Sequence, residues 1–403
     1  MAPEAWKRNL YVIFIAELIV IIGFSFVTPF IPLFIQKVGG LETGDAAFWS
    51  GIANSAAGVA MFLSSPVWGI MADRWGRKPM VLRAMFGGGV VLAITGMAPN
   101  VYAIVGLRFL QGALSGTVAA ASALVAANTP RDKLPFAMGL LMMAVFTGNT
   151  VGPLIGGFAA DTVGYRGAFW ITGGLLLSGA LIVLFLVKEQ FERPVKGQAA
   201  SLGSVIQLAR SKEMYPLLIV QFALQAGPAM MSPIISLSIK EFDPLGAAAT
   251  LSGIGYSCMG IVAAVSSFVA GRLSQRFPLK QILVFCCIGT SFLYLPPIWA
   301  ATVIQFLGFI ALMGLLKGGI ITSTNALIGL TAPENAKGIA YGLSQSASSL
   351  GSGIGPLVGG SLATVMGLRP VFAVAGGVYL IVGIAISTLL VGVSLAKKEA
   401  GSN

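Results

Sequence analysis

Residues 148–157 read GNTVGPLIGG, and residues 351–360 read GSGIGPLVGG, so two decapeptides that share four glycines and a proline stand 203 positions apart. The same offset relates further pairs on both sides: Pro130 and Pro333, Gly139 and Gly342, Phe169 and Phe372, and Gly173-Gly174 and Gly376-Gly377. A constant offset across so many features indicates that the chain is an internal duplication, with each copy filling about half of it.

The chain of 403 residues is too apolar for a soluble protein, because 56% of its residues are hydrophobic and 10% are charged. Ordinary soluble proteins carry about 25% charged residues. The apolar residues form blocks of roughly 20 or more, the length that crosses about 30 Å of hydrocarbon. Twelve blocks are delimited by charges, Pro and Gly: 9–36, 47–71, 79–97, 100–126, 134–160, 167–187, 214–239, 247–271, 279–298, 302–330, 337–364 and 370–392. The sequence therefore predicts an all-α integral membrane protein with twelve transmembrane helices in two pseudo-symmetric six-helix bundles.

The longest polar stretch, 188–213, separates the sixth block from the seventh and divides the chain into two halves, 1–187 and 214–403. We interpret it as a cytoplasmic linker. With the N-terminus inside, 19 of the 25 Lys and Arg fall at the cytoplasmic side and four at the opposite side, as the positive-inside rule requires. The net charge of +11 is thus explained without nucleic acid. We expect a multi-pass protein of the inner (plasma) membrane with both termini in the cytoplasm.

Several kinds of site are excluded by residues that the sequence lacks. There is no histidine, which excludes Ser-His-Asp chemistry and a His metal cage. The three cysteines, Cys258, Cys286 and Cys287, offer neither a disulfide framework nor zinc spacing, and no G-x-x-x-x-G-K-[ST] occurs. We expect no catalytic residue, metal or cofactor. Because the chain has no ATP-binding loop, the energy for any pumping must come from an ion gradient or a partner.

The loop between the second and third blocks, residues 69–79, reads GIMADRWGRKP and contains six residues of interest: Gly69, Asp73, Arg74, Gly76, Arg77 and Lys78. Gly69 allows close helix approach, Asp73 can accept hydrogen bonds at a helix N-terminus, and Gly76 permits a tight turn. The basic residues can bridge acidic groups or lipid phosphates, or they simply mark a cytoplasmic loop. The loop 271–280 of the second half has Gln275 in place of Asp73, which predicts a conformational latch that acts mainly from the first half.

The fifth block combines glycines at four-residue spacing with a proline: Gly148, Gly152, Pro153, Gly156 and Gly157. Glycines spaced by four share one helix face and allow tight packing, and Pro153 removes a backbone hydrogen bond and should bend the helix. Ordinary small-residue packing is the simpler interpretation of this pattern.

Glu17 is the one acid deep inside an apolar block, and Arg108 is a cation inside the fourth block. At 1.5 Å per residue, Glu17 lies about 12 Å from the inner end of its helix and Arg108 about 12 Å from the outer end of its own. The axial separation between them is then about 6 Å. We predict that Glu17 takes up the coupling proton and that Arg108 tunes it, because burial disfavours a carboxylate and a nearby cation favours it. A static buried ion pair is the alternative.

Lys317 in the tenth block is the third intramembrane charge. It either holds an anionic substrate or satisfies itself structurally by reaching nearby polar groups. The other substrate-binding candidates are polar, aromatic or flexible side chains at depths suited to a central cavity: Phe24, Phe146, Asn149, Gln221, Gln225 and Met230. Methionines and aromatics suit promiscuous apolar ligands, although such residues also form ordinary cores.

Three of these elements resemble motifs of the major facilitator superfamily. Residues 69–78 resemble its G-x-x-x-D-R-x-G-R-R/K loop, residues 108–112 resemble its R-x-x-x-G element, and residues 148–157 resemble the motif of its drug:proton antiporters. With WKRNL at 6–10 and TPFIP at 28–32, the whole chain is similar to twelve-span bacterial multidrug efflux transporters of the MdtG and PmrA type.

That resemblance implies two bundles that alternate between inward- and outward-open states and export amphiphilic compounds in exchange for protons. It also implies that spans one, four, seven and ten line the cavity, and that Asp73 and Arg77 help to hold the cytoplasmic side closed. We therefore expect a secondary active transporter and not an enzyme. We expect it to be a monomer whose partners are a small-molecule substrate, protons and membrane lipids.

Two alternatives differ in class. The first is an exporter of one defined metabolite, such as a sugar, a siderophore or a lipid-like anion, which the cations Arg108 and Lys317 favour. The second is a receptor or membrane enzyme, which needs a large soluble sensor or a cluster of catalytic residues, and the sequence offers neither.

Overall fold

A computed structural model of the chain describes residues 5–130, 133–189, 210–211, 214–242, 246–331 and 337–389, and no strand occurs in these ranges. The first half forms α1 (Ala5–Phe26), α2 (Ile31–Gly39), α3 (Thr43–Trp75), α4 (Arg77–Thr95), α5 (Val101–Leu114), α6 (Thr117–Asn128) and α7 (Leu134–Leu186). The second half forms α8 (Met214–Met230), α9 (Ser232–Phe242), α10 (Ala248–Leu273), α11 (Leu279–Leu293), α12 (Val303–Thr331), α13 (Lys337–Met366) and α14 (Pro370–Leu389), with a 3-10 turn at Pro296–Trp299. Most of the predicted linker lies outside the described residues.

Each of the twelve predicted blocks corresponds to a helix, a helix pair or half of α7. Spans one, four and seven are each broken into two helices, α1–α2, α5–α6 and α8–α9. Spans five and six run together as α7 and are separated by a kink at Gly164, where φ is 79° and ψ is 160°. The corresponding residue of the second half, Gly367, has φ 82°, so the duplication extends to backbone conformation.

Eleven spans of the described chain are long and apolar enough to cross a membrane, and α13 is not among them. Its 30 residues suffice in length, but its middle carries several polar side chains: Ser344, Gln345, Ser346, Ser348 and Ser349. The helix packs between α3 and α8, and Ser344, Ser348 and Ser349 of this segment are buried. Twelve spans therefore remain the interpretation of the chain.

The two glycine stripes pack in equivalent ways. Gly148, Gly152 and Gly156 lie against the backbone and side chains of α1, and a Cβ on Gly156 would collide with the carbonyl oxygen of Phe26. In the second half, Gly351, Gly355 and Gly359 lie against α8, and a Cβ on Gly359 would collide with the carbonyl oxygen of Met230. Helices approach this closely only where side chains are absent.

The halves meet where α3 packs on α13 and where α7 packs on α10. Close contacts pair Gly51 with Pro356, Gly360 with Ala47, and Gly157 with Ala249. In each of these helices, the contacting residues lie toward the end away from the C-terminus of α7 and the N-terminus of α8. We call that membrane face the far side and the face of those two helix ends the linker side.

Polar contacts reinforce the closure on the far side. Asp161 of α7 accepts hydrogen bonds of 2.7 Å from both the backbone nitrogen and the hydroxyl of Thr250, in the first turn of α10. The Lys240 ammonium donates to the amide oxygen of Gln36 over 2.8 Å. The halves are thus closed against each other on the far side.

Candidate functional site

A cavity of about 320 Å³ lies between the halves, beside the far-side contacts. Helices of spans one, two, four, seven and eleven line it, and its polar wall includes Asn54, Arg108, Gln111 and Ser232. Its apolar wall includes Phe24 and Met61. A site of this size between two bundles, with a few polar groups on an apolar surface, is the usual form of a small-molecule pocket.

Arg108 is held in the cavity wall by neutral side chains. Its guanidinium donates to the amide oxygen of Asn54 over 2.6 Å and to the amide oxygen of Gln111. The Asn54 amide donates in turn to the Ser232 hydroxyl over 3.4 Å, so this chain of hydrogen bonds crosses from the first half to the second. A ligand that displaces any of these bonds therefore acts on the contact between the halves.

Glu17 is fully buried in α1, and the predicted contact with Arg108 is not formed. Neither carboxylate oxygen has a hydrogen-bond partner among the described residues. The Thr117 hydroxyl, at the first position of α6, faces the carboxyl group without reaching hydrogen-bond geometry. The expectation of a pair rested on axial depth alone, whereas the partners of Arg108 are set by the direction of its helix face toward α3.

Span four is broken between Arg108 and Thr117, a feature that the sequence analysis missed. Gly116 adopts φ 110°, which glycine tolerates and other residues avoid. The α5 helix therefore ends at Leu114, and α6 starts at Thr117. The dipeptide Ser115-Gly116 was the available sequence signal. In membranes, broken helices occur where they line a cavity or are covered by protein, and Ser115 lines this cavity.

Arg83, one of the 19 basic residues that the sequence analysis counted at the cytoplasmic side, stabilises the break. It lies six residues inside α4, where its guanidinium donates to the carbonyl oxygen of Ser115 over 3.1 Å. Its guanidinium carbon also lies 3.8 Å from the ring centroid of Trp68. A cation at the carboxyl end of α5 complements the helix dipole. Arg83 is therefore one of the polar residues of the site.

Lys317 lies in α12, and the central cavity is lined without it. Leu315, two residues before it, is 49% exposed, and at 3.6 residues per turn Lys317 points about 200° away from it. The neighbouring Gly318 contacts α10, and Gly319 contacts α11. Lys317 is half-buried, and no described residue forms a hydrogen bond or ion pair with its ammonium group.

The other predicted substrate-binding residues divide into three groups. Phe24 lines the cavity. Asn149 accepts a hydrogen bond from Ser25, Gln221 donates one to Ser348, and Met230 is buried beside Gly359, so these three join helices within one half. Phe146 and Gln225 are exposed and do not belong to the cavity wall.

In the 69–78 loop, Gly76 makes the predicted tight turn, with φ 99° between α3 and α4. The backbone nitrogens of Arg77 and Lys78 donate to the two carboxylate oxygens of Glu189 over 2.8 Å each. The Lys78 ammonium donates to the carbonyl oxygens of Leu184 and Val187. The loop is therefore tied to the end of α7 in its own half.

The remaining loop residues are only partly described. Gly69, Asp73 and Arg74 are helical in backbone, and their side chains lie outside the described part of the chain. The latch across the halves, predicted for Asp73 and Arg77, stays a prediction.

Comparison with known proteins places these features in a family. A sequence profile described as the Major Facilitator Superfamily matches residues 13–242 and 217–402. The multi-drug resistance efflux pump PmrA homologue of Lactococcus lactis is 33% identical over 367 residues, 90% of each chain. The multidrug resistance protein MdtG of Escherichia coli is 33% identical over 383 residues, covering 94% of this chain and 93% of MdtG.

Solved structures agree in fold. A bacterial homologue of the human lysosomal transporter Spinster, in an inward-facing and occupied conformation, has a TM-score of 0.79 at 14% identity and covers 96% of this chain and 97% of its own. The nucleoside transporter NupG has a TM-score of 0.77 at 14% identity and covers 95% and 99%. The profile and the two relatives together show that the chain is a multi-span membrane transporter that belongs to the major facilitator superfamily.

Proposed function

We propose that the transporter exports amphiphilic small molecules in exchange for protons and that Glu17 carries the proton. The observation that carries this proposal is a fully buried acid without a hydrogen-bond partner, next to the first turn of α6. An ionised carboxylate is costly in such surroundings, so this conformation suits a neutral, protonated Glu17. Two relatives named as multidrug efflux or resistance proteins support the substrate class.

Coupling follows from where Glu17 lies. On loss of its proton, the carboxylate seeks donors, and the hydroxyl of Thr117 and the free backbone N–H groups at the start of α6 are close by. Those groups adjoin the break at Ser115-Gly116, which leads into the cavity wall. Deprotonation therefore biases the position of α5 and Arg108, and through Asn54 it biases the contact with Ser232 in the other half.

Alternating access is supported by the contacts that close the halves on the far side. With both termini in the cytoplasm, the linker side is the cytoplasmic side, and the conformation described here is closed toward the outside. The units that rock are 1–187 and 214–403, joined by 188–213. Closure on the cytoplasmic side in the opposite state is the role that we assign to Asp73 and Arg77.

The test is transport in proteoliposomes with an imposed pH gradient. We expect Glu17→Gln to reduce gradient-driven transport of a fluorescent amphiphile to the level of empty vesicles. Exchange of the same amphiphile across the membrane without a gradient should continue, because binding does not need the carboxylate. Glu42→Gln is the matched control, since Glu42 is an exposed acid at the N-terminus of α3. Gradient-driven transport of normal rate in Glu17→Gln contradicts the proposal.

A second candidate is the export of one defined metabolite. The small cavity and its ordered network of Asn54, Arg108, Gln111 and Ser232 favour a ligand with matching polar groups. A panel of chemically unrelated amphiphiles separates the two candidates, since a multidrug exporter should transport many of them at similar rates and a metabolite exporter should transport few.

A further inference from the structure

The described charges along the path between the halves are of one sign. No described acid lines the central cavity, whereas Arg108 does. Among the described acids, Glu17 is sealed inside the first half, Asp161 is bound to Thr250 and Glu189 is bound to the start of α4. Glu42, Asp45 and Glu241 stand at helix ends. The described path is therefore cationic.

Arg108 has no counter-ion in the part of the chain that the structure describes. Its described partners, Asn54 and Gln111, are neutral amides, and its Nε atom is buried without any hydrogen-bond partner. A buried cation that is solvated only by neutral groups retains most of its desolvation penalty. An anion that approached Arg108 from the cavity would offset that penalty.

Lys317 is a second cation without a described partner, and it belongs to the other half. It is half-buried in α12, points away from the exposed Leu315 and lies outside the lining of the central cavity. Intramembrane cations usually pair with an acid or mark a substrate path. No acidic residue occurs in the sequence of α12 or in those of the neighbouring α10 and α11.

We propose that the path selects amphiphilic molecules that carry a negative charge, with Arg108 and Lys317 as the counter-charges in the two halves. This inference rests on the proposed export function for its physiological meaning. Its structural content is a charge preference in binding, which is separate from proton coupling. A permanent cation of the same shape meets two like charges and no acid, so it is disfavoured.

The experiment measures binding to the purified full chain in detergent, without any gradient. Three dansyl probes share one six-carbon chain that ends in a carboxylate, a primary carboxamide or a trimethylammonium group. We expect the wild type to bind the carboxylate most tightly and the trimethylammonium probe most weakly. Lys317→Gln should weaken carboxylate binding about thirtyfold, the effect of losing one buried charge partner. Its carboxamide binding should stay nearly unchanged.

Two further variants and a control complete the design. Lys317→Arg keeps the charge and should keep the order of affinities, whereas Lys317→Glu should reverse it. Lys280→Gln is the control, because the Lys280 ammonium bonds the carbonyl oxygen of Ser387 at the linker-side end of the bundle. Equal affinity for the three probes, tightest binding of the cation, or no binding of any probe overturns the inference. A preserved anion preference without gradient-driven transport overturns only the export function.

Discussion

The two halves of the molecule share their packing but not their charges. At the 203-residue offset, the glycine stripe of α7 recurs in α13, and the positive φ of Gly164 recurs at Gly367. None of the intramembrane charges recurs. The aligned pairs are Glu17 with Val220, Arg108 with Ala311, and Lys317 with Leu114.

The fourth span and the tenth span show the difference in backbone as well. The fourth is broken at Ser115-Gly116, whereas the aligned Gly318-Gly319 lies within the continuous α12. The residue that contacts the break is Arg83, and its aligned partner Cys286 packs beside Gly319. The two copies thus share the scaffold, whereas the polar residues of the site differ between them. The comparison teaches which residues belong to the fold and which to transport.

The largest effect is expected at the glycine stripes. Gly156→Ala and Gly359→Ala each place a methyl group against a carbonyl oxygen of a neighbouring helix. Each should cost about 3 kcal/mol of stability or more through overpacking, although alanine is the better helix former. Thermal unfolding in detergent measures the loss, and both variants should lose transport as well.

The matched controls are Gly174→Ala and Gly377→Ala, another aligned pair, which face open space. These should be neutral or slightly stabilising. If only one of the two stripe variants unfolds at the wild-type temperature, the two scaffolds are not equivalent.

An intermediate effect is expected at Arg83. Arg83→Met keeps the length of the side chain but removes the hydrogen bond to Ser115 and the contact of the cation with Trp68. We expect a loss of about 2 kcal/mol, typical of a hydrogen bond to a charged group. Gradient-driven transport should fall further than stability alone explains, because the break in span four loses its cap.

In the second half, Cys286→Ala removes only an apolar contact at the aligned position. It should change transport little, which makes it the partner variant in the same assay. If Arg83→Met pumps at the wild-type rate, the break has no role in coupling and the contrast between spans four and ten is structural only.

The sequence predicted the twelve spans, the duplication and the tight turn at Gly76, because block length and glycine spacing act locally along a helix. It did not predict the break in span four, since Ser115-Gly116 is weak punctuation whose effect depends on Arg83 and Trp68 of other helices. The contact of Glu17 with Arg108 was wrong for a related reason. Depth in a membrane can be counted from residues, but the direction of a side chain around its helix depends on neighbours.

The smallest effect tests the comparison where the halves should behave alike. Asn100 caps the start of α5, and its side chain accepts a hydrogen bond from the Ala103 nitrogen over 2.9 Å. Thr302 precedes the equivalent α12, and its hydroxyl accepts a hydrogen bond from the Gln305 nitrogen over 3.3 Å. Asn100→Ala and Thr302→Ala should each cost about 1 kcal/mol, the usual contribution of a helix cap. Both should leave the affinities for the dansyl probes unchanged in the binding assay, because caps belong to the scaffold. Serine at either position should restore the melting temperature, and a change in probe affinity from one cap alone would show that the site extends to the far-side ends of these helices.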